Sequence, residues 1–198
     1  MIKSPYPAQL TDCFRLEGLG PDTDLEALAL ELNRVYVENP HFGTYDPYFK
    51  QRVNNLDLIT QGLLKVQERT AQGLSLTCYG RYNGELVTSV MFGISPYGSE
   101  AMIGRWVAKP YEGRKLVSTA SRHILSVAFT NGVDRVWSEV HPDNERIQTL
   151  NTRLGFVAAE QLGLSTPDGL PEPDPAHQLY VLTAPSWIEQ QKAEQIKL

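Results

Sequence analysis

Residues 100–141 read EAMIGRWVAKPYEGRKLVSTASRHILSVAFTNGVDRVWSEVH. Strand-forming residues run from Glu100 to Val107, and Lys109-Pro110 ends that run. From Lys115 to Thr130 the apolar residues Val117, Ala120, Ile124, Val127 and Ala128 recur at helical spacing, and Arg135 to His141 returns to strand character. A strand, a helix and a strand in this order predict a right-handed crossover between parallel neighbours. At residues 107–118 the first strand delivers the chain into a turn and then a helix N-terminus. Such a junction presents unpaired backbone N–H groups and the positive end of the helix dipole, which suit an anion. Gly113 permits close backbone approach, and Arg114 and Lys115 add positive charge there. Lys109, Arg114 and Lys115 lie within seven residues, with Arg105 just upstream and Arg122 just beyond. The plainer reading is an ordinary connection under a solvated basic patch.

Working outward, Cys13 to Leu19 reads as a strand closed by Gly20-Pro21. Asp22 or Thr23 is placed to cap a helix carrying Leu25, Leu28, Leu32 and Val35 at helical spacing. Asn39 to Phe49 (NPHFGTYDPYF) reads as a loop, with Phe42, Tyr45 and Tyr48 either lining a pocket or anchoring the loop. A second helix spans Asn55 to Ala71, with Ile59, Leu63 and Val66 on one stripe. Strands follow at Leu74 to Tyr82, Glu85 to Ile94 and Glu100 to Val107, and Asn83-Gly84 is a strong hairpin signal between the first two. Beyond His141 come a helix from Asn144 to Leu154 closed by Gly155 and a short strand from Phe156 to Glu160. A Pro/Asp-rich excursion from Pro167 to Pro175 precedes a last strand at Leu179 to Leu182, and an amphipathic or frayed helical tail begins at Pro185.

With 198 residues, 41% hydrophobic and 21% charged, the chain suits one well-buried core and has no apolar run of the roughly 18 residues that a membrane helix needs. The first residues carry no apolar signal region, so the cytoplasm is the expected compartment. Cys13 and Cys78 read as two reduced core thiols. The net charge of −5 argues against nucleic acid as a general partner, because neutralising phosphates needs a basic face. Four scattered His with no Cys/His spacing leave no metal expected.

Three segments together, NGELV (83–87), IGRWVAKPYEGRKLVSTA (103–120) and HPDNERIQTLNTRLGF (141–156), resemble the GCN5-related N-acetyltransferase (GNAT) superfamily. The similarity is to the branch that acetylates ribosomal-protein N-termini, and weaker collinear likeness extends it over residues 12–184. The resemblance implies an α+β GNAT fold, with a mixed central sheet of about six to seven strands flanked by helices on both faces. It implies an acyltransferase domain at 12–184 between an N-terminal extension (1–11) and a C-terminal tail (185–198). Acetyl-CoA or another acyl-CoA would be the co-substrate, and the acceptor would be a small-molecule amine or a peptide N-terminus. A homodimer stays open.

The family's loop pattern, Gln/Arg-x-x-Gly-x-Gly/Ala, maps onto Glu112, Gly113, Arg114, Lys115, Leu116 and Val117. Lys115 stands where the pattern has its central Gly, a position at which a side chain makes φ > 0 costly. Trp106 and Val107 match strand positions whose main chain pairs with the pantetheine arm. Asn144 matches a position near the cofactor or acceptor and reads equally well as a helix N-cap.

The usual proton-transfer positions are filled differently. Met102 stands at the site of the family's glutamate base, and Ile147 or Asn151 at that of its Ser or Tyr acid. Holding an amine against a thioester supplies an effective molarity of order 10⁵ M or more by itself, so transfer can persist without that pair. Candidate substitutes are Glu100, on the strand face of Met102, and Glu139 and His141, which share a face of the 135–141 strand. An imidazole titrates near neutrality, as a proton carrier needs. Two other readings follow: a GNAT-fold binding or scaffold protein without transfer, or an acyltransferase that uses a carrier-protein or aminoacyl-tRNA donor.

Overall fold

A computed structural model describes residues 5–97, 99–166 and 168–195, without the side chains of residues 47, 48, 194 and 195. In chain order the elements are β1 (Ala8–Thr11), β2 (Phe14–Gly18), α1 (Leu25–Glu38), α2 (Phe42–Tyr45), α3 (Pro47–Arg52), α4 (Leu56–Ala71), β3 (Cys78–Tyr82), β4 (Glu85–Ile94), β5 (Glu100–Val107), α5 (Leu116–Thr130), β6 (Arg135–Val140), α6 (Glu145–Leu154), β7 (Val157–Ala158), β8 (Gln178–Thr183) and α7 (Ala184–Gln195). The strands form one mixed sheet in the order β1-β2-β3-β4-β5-β6-β8-β7. β5 and β6 run parallel, as the crossover reading requires, while β2–β3, β3–β4 and β6–β8 are antiparallel. The eighth strand is β1. Its sequence, AQLT, is too short to declare itself by alternation, and it forms by pairing with β2.

Local signals place many boundaries. The hairpin joining β3 to β4 has Asn83 at φ 52 and Gly84 at φ 85, the left-handed pair that a tight two-residue turn requires. Asn55 and Asn144 cap α4 and α6 through their side chains. At 88° the φ of Gly155 closes α6 in a left-handed C-cap.

Elsewhere the structure corrects the sequence reading. The cap of α1 is Asp24, whose Oδ1 accepts from Ala27 N–H at 3.0 Å, because the Thr23 hydroxyl is already accepting from Gly20 N–H at 2.9 Å. The 39–49 loop contains α2 and the start of α3. Aromatic packing stabilises these short helices, with Phe42 lying 5.3 Å from Phe49 and 5.5 Å from Trp106 between ring centroids. Phe42 is thus an anchor, whereas the Tyr48 side chain lies outside the described residues. The strand expected from Leu74 ladders only from Cys78, and that expected over 156–160 gives way after Ala158 to a 3-10 turn, Ala159–Leu162. Cys78 is buried, but Cys13 is exposed at the turn between β1 and β2; both are free thiols. The final helix, α7, is anchored by buried Trp187, which packs against Phe129 at 5.9 Å.

The chain divides into two compact units, Met1–Met91 with Arg105–Ser121, and Phe92–Gly104 with Arg122–Leu198. In the first, Leu28, Leu32, Val35 and Tyr36 of α1 and Ile59 and Leu63 of α4 bury against Tyr79, Leu86 and Trp106 of the strands. In the second, Trp137, Ala159 and Val181 form the buried centre, with Met102 and Leu179 against them. No helix among the described residues is long and apolar enough to cross a membrane.

Arg81 of β3 ties three elements of the first unit together. Its guanidinium grips Glu31 of α1 with contacts of 2.5 and 2.9 Å and Glu17 of β2 at 2.6 Å. The hydrogen bonds from Arg81 hold the Glu31 carboxyl below the usual glutamate range. A carboxyl with a depressed folded-state pKa adds stability that is present above its unfolded value and is lost as pH falls through the folded one. Arg81→Met is therefore expected to lower unfolding stability at neutral pH by about 1 kcal/mol, a value kept small because Glu31 is 38% exposed. In urea titrations the gap between variant and parent narrows as pH drops below about 4.3, the ordinary glutamate value. A gap independent of pH would refute the assignment.

Candidate functional site

The strand-to-helix junction belongs to the first unit. Trp106 is buried in β5, and its carbonyl accepts a short hydrogen bond from the Thr88 hydroxyl. Val107 is half-buried beside it. Buried Asn39 accepts from Lys109 N–H at 2.7 Å and fixes the start of the connection. After the 3-10 turn Lys109–Tyr111, Glu112 is extended, Gly113 takes φ 75 and Lys115 takes φ 62. Lys115 thus adopts the left-handed conformation despite its Cβ. The first α5 bond runs from Thr119 N–H to Lys115 C=O at 2.9 Å. The amides of Leu116, Val117 and Ser118 precede it, so they have no partner one turn back within the helix.

Charge surrounds these amides. Lys109, Arg114 and Lys115 are exposed. The Arg114 guanidinium stands 5.8 Å from the Tyr82 ring and 5.4 Å from the Tyr111 ring, a cation–π pairing that orients it. Tyr111 O–H donates to Glu85 at 2.6 Å, which raises its pKa. Glu112, where the family has Gln or Arg, lies 3.7 Å from His41 Nε2. Arg105 does not extend the basic patch, because it is half-buried in β5, where desolvation pushes its pKa down to about 10.

The other sequence-predicted residues belong to the second unit. Glu100 accepts from Arg135 Nη1 at 2.9 Å and from the Trp137 indole N–H at 2.6 Å. Glu139 and His141 do come together at the end of β6, through a residue that the sequence did not single out, His177. His177 Nδ1 lies 2.7 Å from Glu139 Oε1, which also accepts from Asp174 N–H at 2.8 Å. The His141 and His177 rings meet edge to face, with centroids 5.4 Å apart. Asn144 is an N-cap, accepting from Ile147 N–H at 3.3 Å. Asn151, one of the two family acid positions, is fully buried and donates to the Ser138 hydroxyl at 3.2 Å.

A family model described as the acetyltransferase (GNAT) domain matches residues 15–157. The chain belongs to this family. Among solved structures, the GNAT chain is similar to the microcin C7 self-immunity acetyltransferase MccE in complex with acetyl-CoA and AMP (19% identity, 91% of this chain and 97% of that one, TM-score 0.70). It is also similar to the ribosomal L7/L12 alpha-N-protein acetyltransferase RimL in complex with coenzyme A (14%, 88% and 96%, TM-score 0.71). A third is RimJ of Mycobacterium smegmatis in complex with CoA-disulfide (20%, 90% and 89%, TM-score 0.68). No curated protein matches the chain in sequence. The resemblance to the GNAT superfamily is thereby upheld, and the fold is that of GNAT proteins.

Lys115 offers a test of the junction. A left-handed non-glycine residue carries strain of about 1–2 kcal/mol, part of which glycine forfeits through its freer unfolded chain. Lys115→Gly is expected to stabilise the protein by about 0.5–1 kcal/mol, whereas Lys115→Ala gains nothing. Thermal unfolding of the two variants measures this. Equal midpoints would show that residue 115 is not held left-handed.

Proposed function

We propose that this GNAT protein is an acyl-CoA-dependent N-acyltransferase with acetyl-CoA as its first candidate donor. The observation that carries the proposal is the junction at residues 112–118. There a left-handed Gly113 and Lys115 open onto the first amides of α5, beside exposed Arg114 and Lys115. A helix N-terminus with added cationic side chains is suited to a pyrophosphate. It lies at the loop positions the family uses for that group, with Glu112, Gly113, Arg114, Lys115, Leu116 and Val117 as cofactor residues. Trp106 and Val107 would offer main chain to the pantetheine arm, and Asn144 would sit near the cofactor or acceptor. The catalytic domain is read as 12–184, working in the cytoplasm.

The acceptor in this reading is a primary amine, on a peptide N-terminus or a small molecule. Support comes from relatives named for acetylating a ribosomal protein at its α-amino group, and from MccE, whose structure holds AMP. Proton transfer falls to the Glu139–His141 end of β6. Glu100, the third candidate, has its carboxylate committed to Arg135 and Trp137 and serves to hold its strand. Positioning supplies the remainder.

A second reading, a binding or scaffold protein without transfer, rests on Met102, Ile147 and Asn151 standing where relatives carry base and acid. Calorimetry with acetyl-CoA and longer acyl-CoAs, paired with thiol release in the presence of amines, separates the two. The enzyme reading expects saturable micromolar binding and thiol release, with affinity falling at least about tenfold, or 1.4 kcal/mol, in Lys115→Glu. Binding without release favours the scaffold. No binding of any acyl-CoA overturns both the donor assignment and the role of the junction.

A further inference from the structure

Side chains outside the cofactor loop pattern tie the junction to the end of the β3–β4 hairpin, all within the first unit. Glu112 (φ −59, ψ 149) and Gly113 (φ 75) make a type II turn between Tyr111 and Arg114. Its backbone bond, from Arg114 N–H to Tyr111 C=O, is long at 3.4 Å, so the main chain closes the turn weakly. The side chains of the same two residues close it again, with the Arg114 guanidinium 5.4 Å from the Tyr111 ring centroid. The Tyr82 ring, 6.0 Å from that of Tyr111, gives the guanidinium a second aromatic partner at 5.8 Å.

This aromatic platform is itself anchored. Tyr111 packs against the buried cluster that contains Leu86 and Trp106, and its hydroxyl donates to Glu85 at 2.6 Å. Glu85 also lies 3.4 Å from Arg34 of α1, and Arg81, which grips Glu31 of α1, donates to the Gly84 carbonyl at 3.2 Å. The hairpin end that receives the junction is thus fixed to α1. Lys115 follows Arg114 directly, and on its other side its carbonyl accepts from Thr119 N–H at 2.9 Å and from the Ser118 hydroxyl at 2.8 Å. Its left-handed φ is therefore held between the Arg114 stack and the first turn of α5, which is the over-determination that such strain requires. A guanidinium stacked on rings keeps its charge, so Arg114 can hold the turn and still contribute to the positive field.

We propose that Tyr111 is the positioning residue of the donor-binding turn, holding it through Arg114 with Tyr82 as the second ring; this rests on the acyl-CoA reading of the junction. Tyr111 acts on the donor only through the turn. With the turn ordered in advance, the amides of Leu116, Val117 and Ser118 and the charges beside them need no further ordering when a pyrophosphate binds. Without the stack the same groups are present but mobile, and the ordering cost moves into the binding step. The effect belongs to donor affinity and not to the chemical step, because the thioester lies at the opposite end of the pantetheine arm from the pyrophosphate.

Calorimetry with acetyl-CoA, thiol release at varied acetyl-CoA and amide hydrogen exchange are read on Tyr111→Leu and Tyr111→Phe. Tyr111→Leu loses one exposed cation–π contact and the hydroxyl bond, and is expected to bind acetyl-CoA about three- to tenfold more weakly. Its KM for acetyl-CoA rises in step, while kcat at saturating donor stays within about twofold of the parent. Tyr111→Phe keeps the ring and is expected to recover most of the affinity. Acetyl-CoA affinity within about 1.5-fold of the parent in Tyr111→Leu overturns the inference. So does a fall in kcat and in the number of binding sites at unchanged Kd, which is the pattern of lost folded protein. The exchange measurement needs no donor. The bonded amides of Glu112, Arg114 and Thr119 are expected to exchange at least about threefold faster in Tyr111→Leu, with those of α4 unchanged. Equal rates at these three amides overturn the inference independently. If the parent protein binds no acyl-CoA while the exchange rates respond, the donor reading fails and the positioning of the turn by Tyr111 stands.

Discussion

The carboxylate of Glu100 sets the register on which the second unit depends. It accepts from Arg135 and from Trp137, two residues on the same side of the neighbouring strand, and so clamps β5 to β6 at Glu100↔Arg135 and Met102↔Trp137. The Glu100 side chain is 15% exposed, so its bond from the Trp137 indole is of the shielded, charge-assisted kind that contributes about 1.5–3 kcal/mol, while that from Arg135, 43% exposed, contributes less. A one-residue slip would turn Trp137 from the buried centre of the unit to the opposite face of the sheet. The same side chain that sequence reasoning offered as a proton carrier thus has a demanding structural task, and the two uses compete for the same lone pairs.

The parallel ladder of β6 with β5 ends at Met102↔Trp137, but β6 continues to Val140 with all six residues paired to β8 on its other edge, from Arg135↔Thr183 to Val140↔Gln178. Extending that antiparallel register by one step brings His177 opposite His141, where the rings are found in contact. The placement of the cluster is therefore a consequence of strand pairing and not of local sequence. Glu139 and His177 are 38 positions apart, and the segment preceding His177 is a polar, proline-rich excursion with no periodic signal. Period-two reasoning could put Glu139 and His141 on one face; it could not supply the partner from the segment leading into β8 without the register.

What was legible elsewhere follows the same division. Asn83-Gly84, Asn55, Asn144 and Gly155 act through their own backbone or the next turn, and each did what its residue type dictates. The short helices after Asn39 did not announce themselves, because they are stabilised by Phe42 and Phe49 packing on Tyr36 and Trp106 and not by propensity. β1 is silent for a related reason, since four residues gain order only from an edge that the rest of the sheet provides. Lys115 is the sharpest case. Its own preference is against φ 62, and the fold imposes that angle nonetheless. Strain of this type persists where surrounding structure over-determines the backbone, and it clusters at ligand-binding turns.

The altered proton-transfer positions can be understood in the same terms. Met102 packs into the cluster around Trp137, the Ile147 amide serves the Asn144 cap, and Asn151 is buried against Ser138. Each has been absorbed into core or cap. A carboxylate returned to position 102 would meet an apolar surface already formed by Trp137 and Val181, and its charged form would be costly there without a partner.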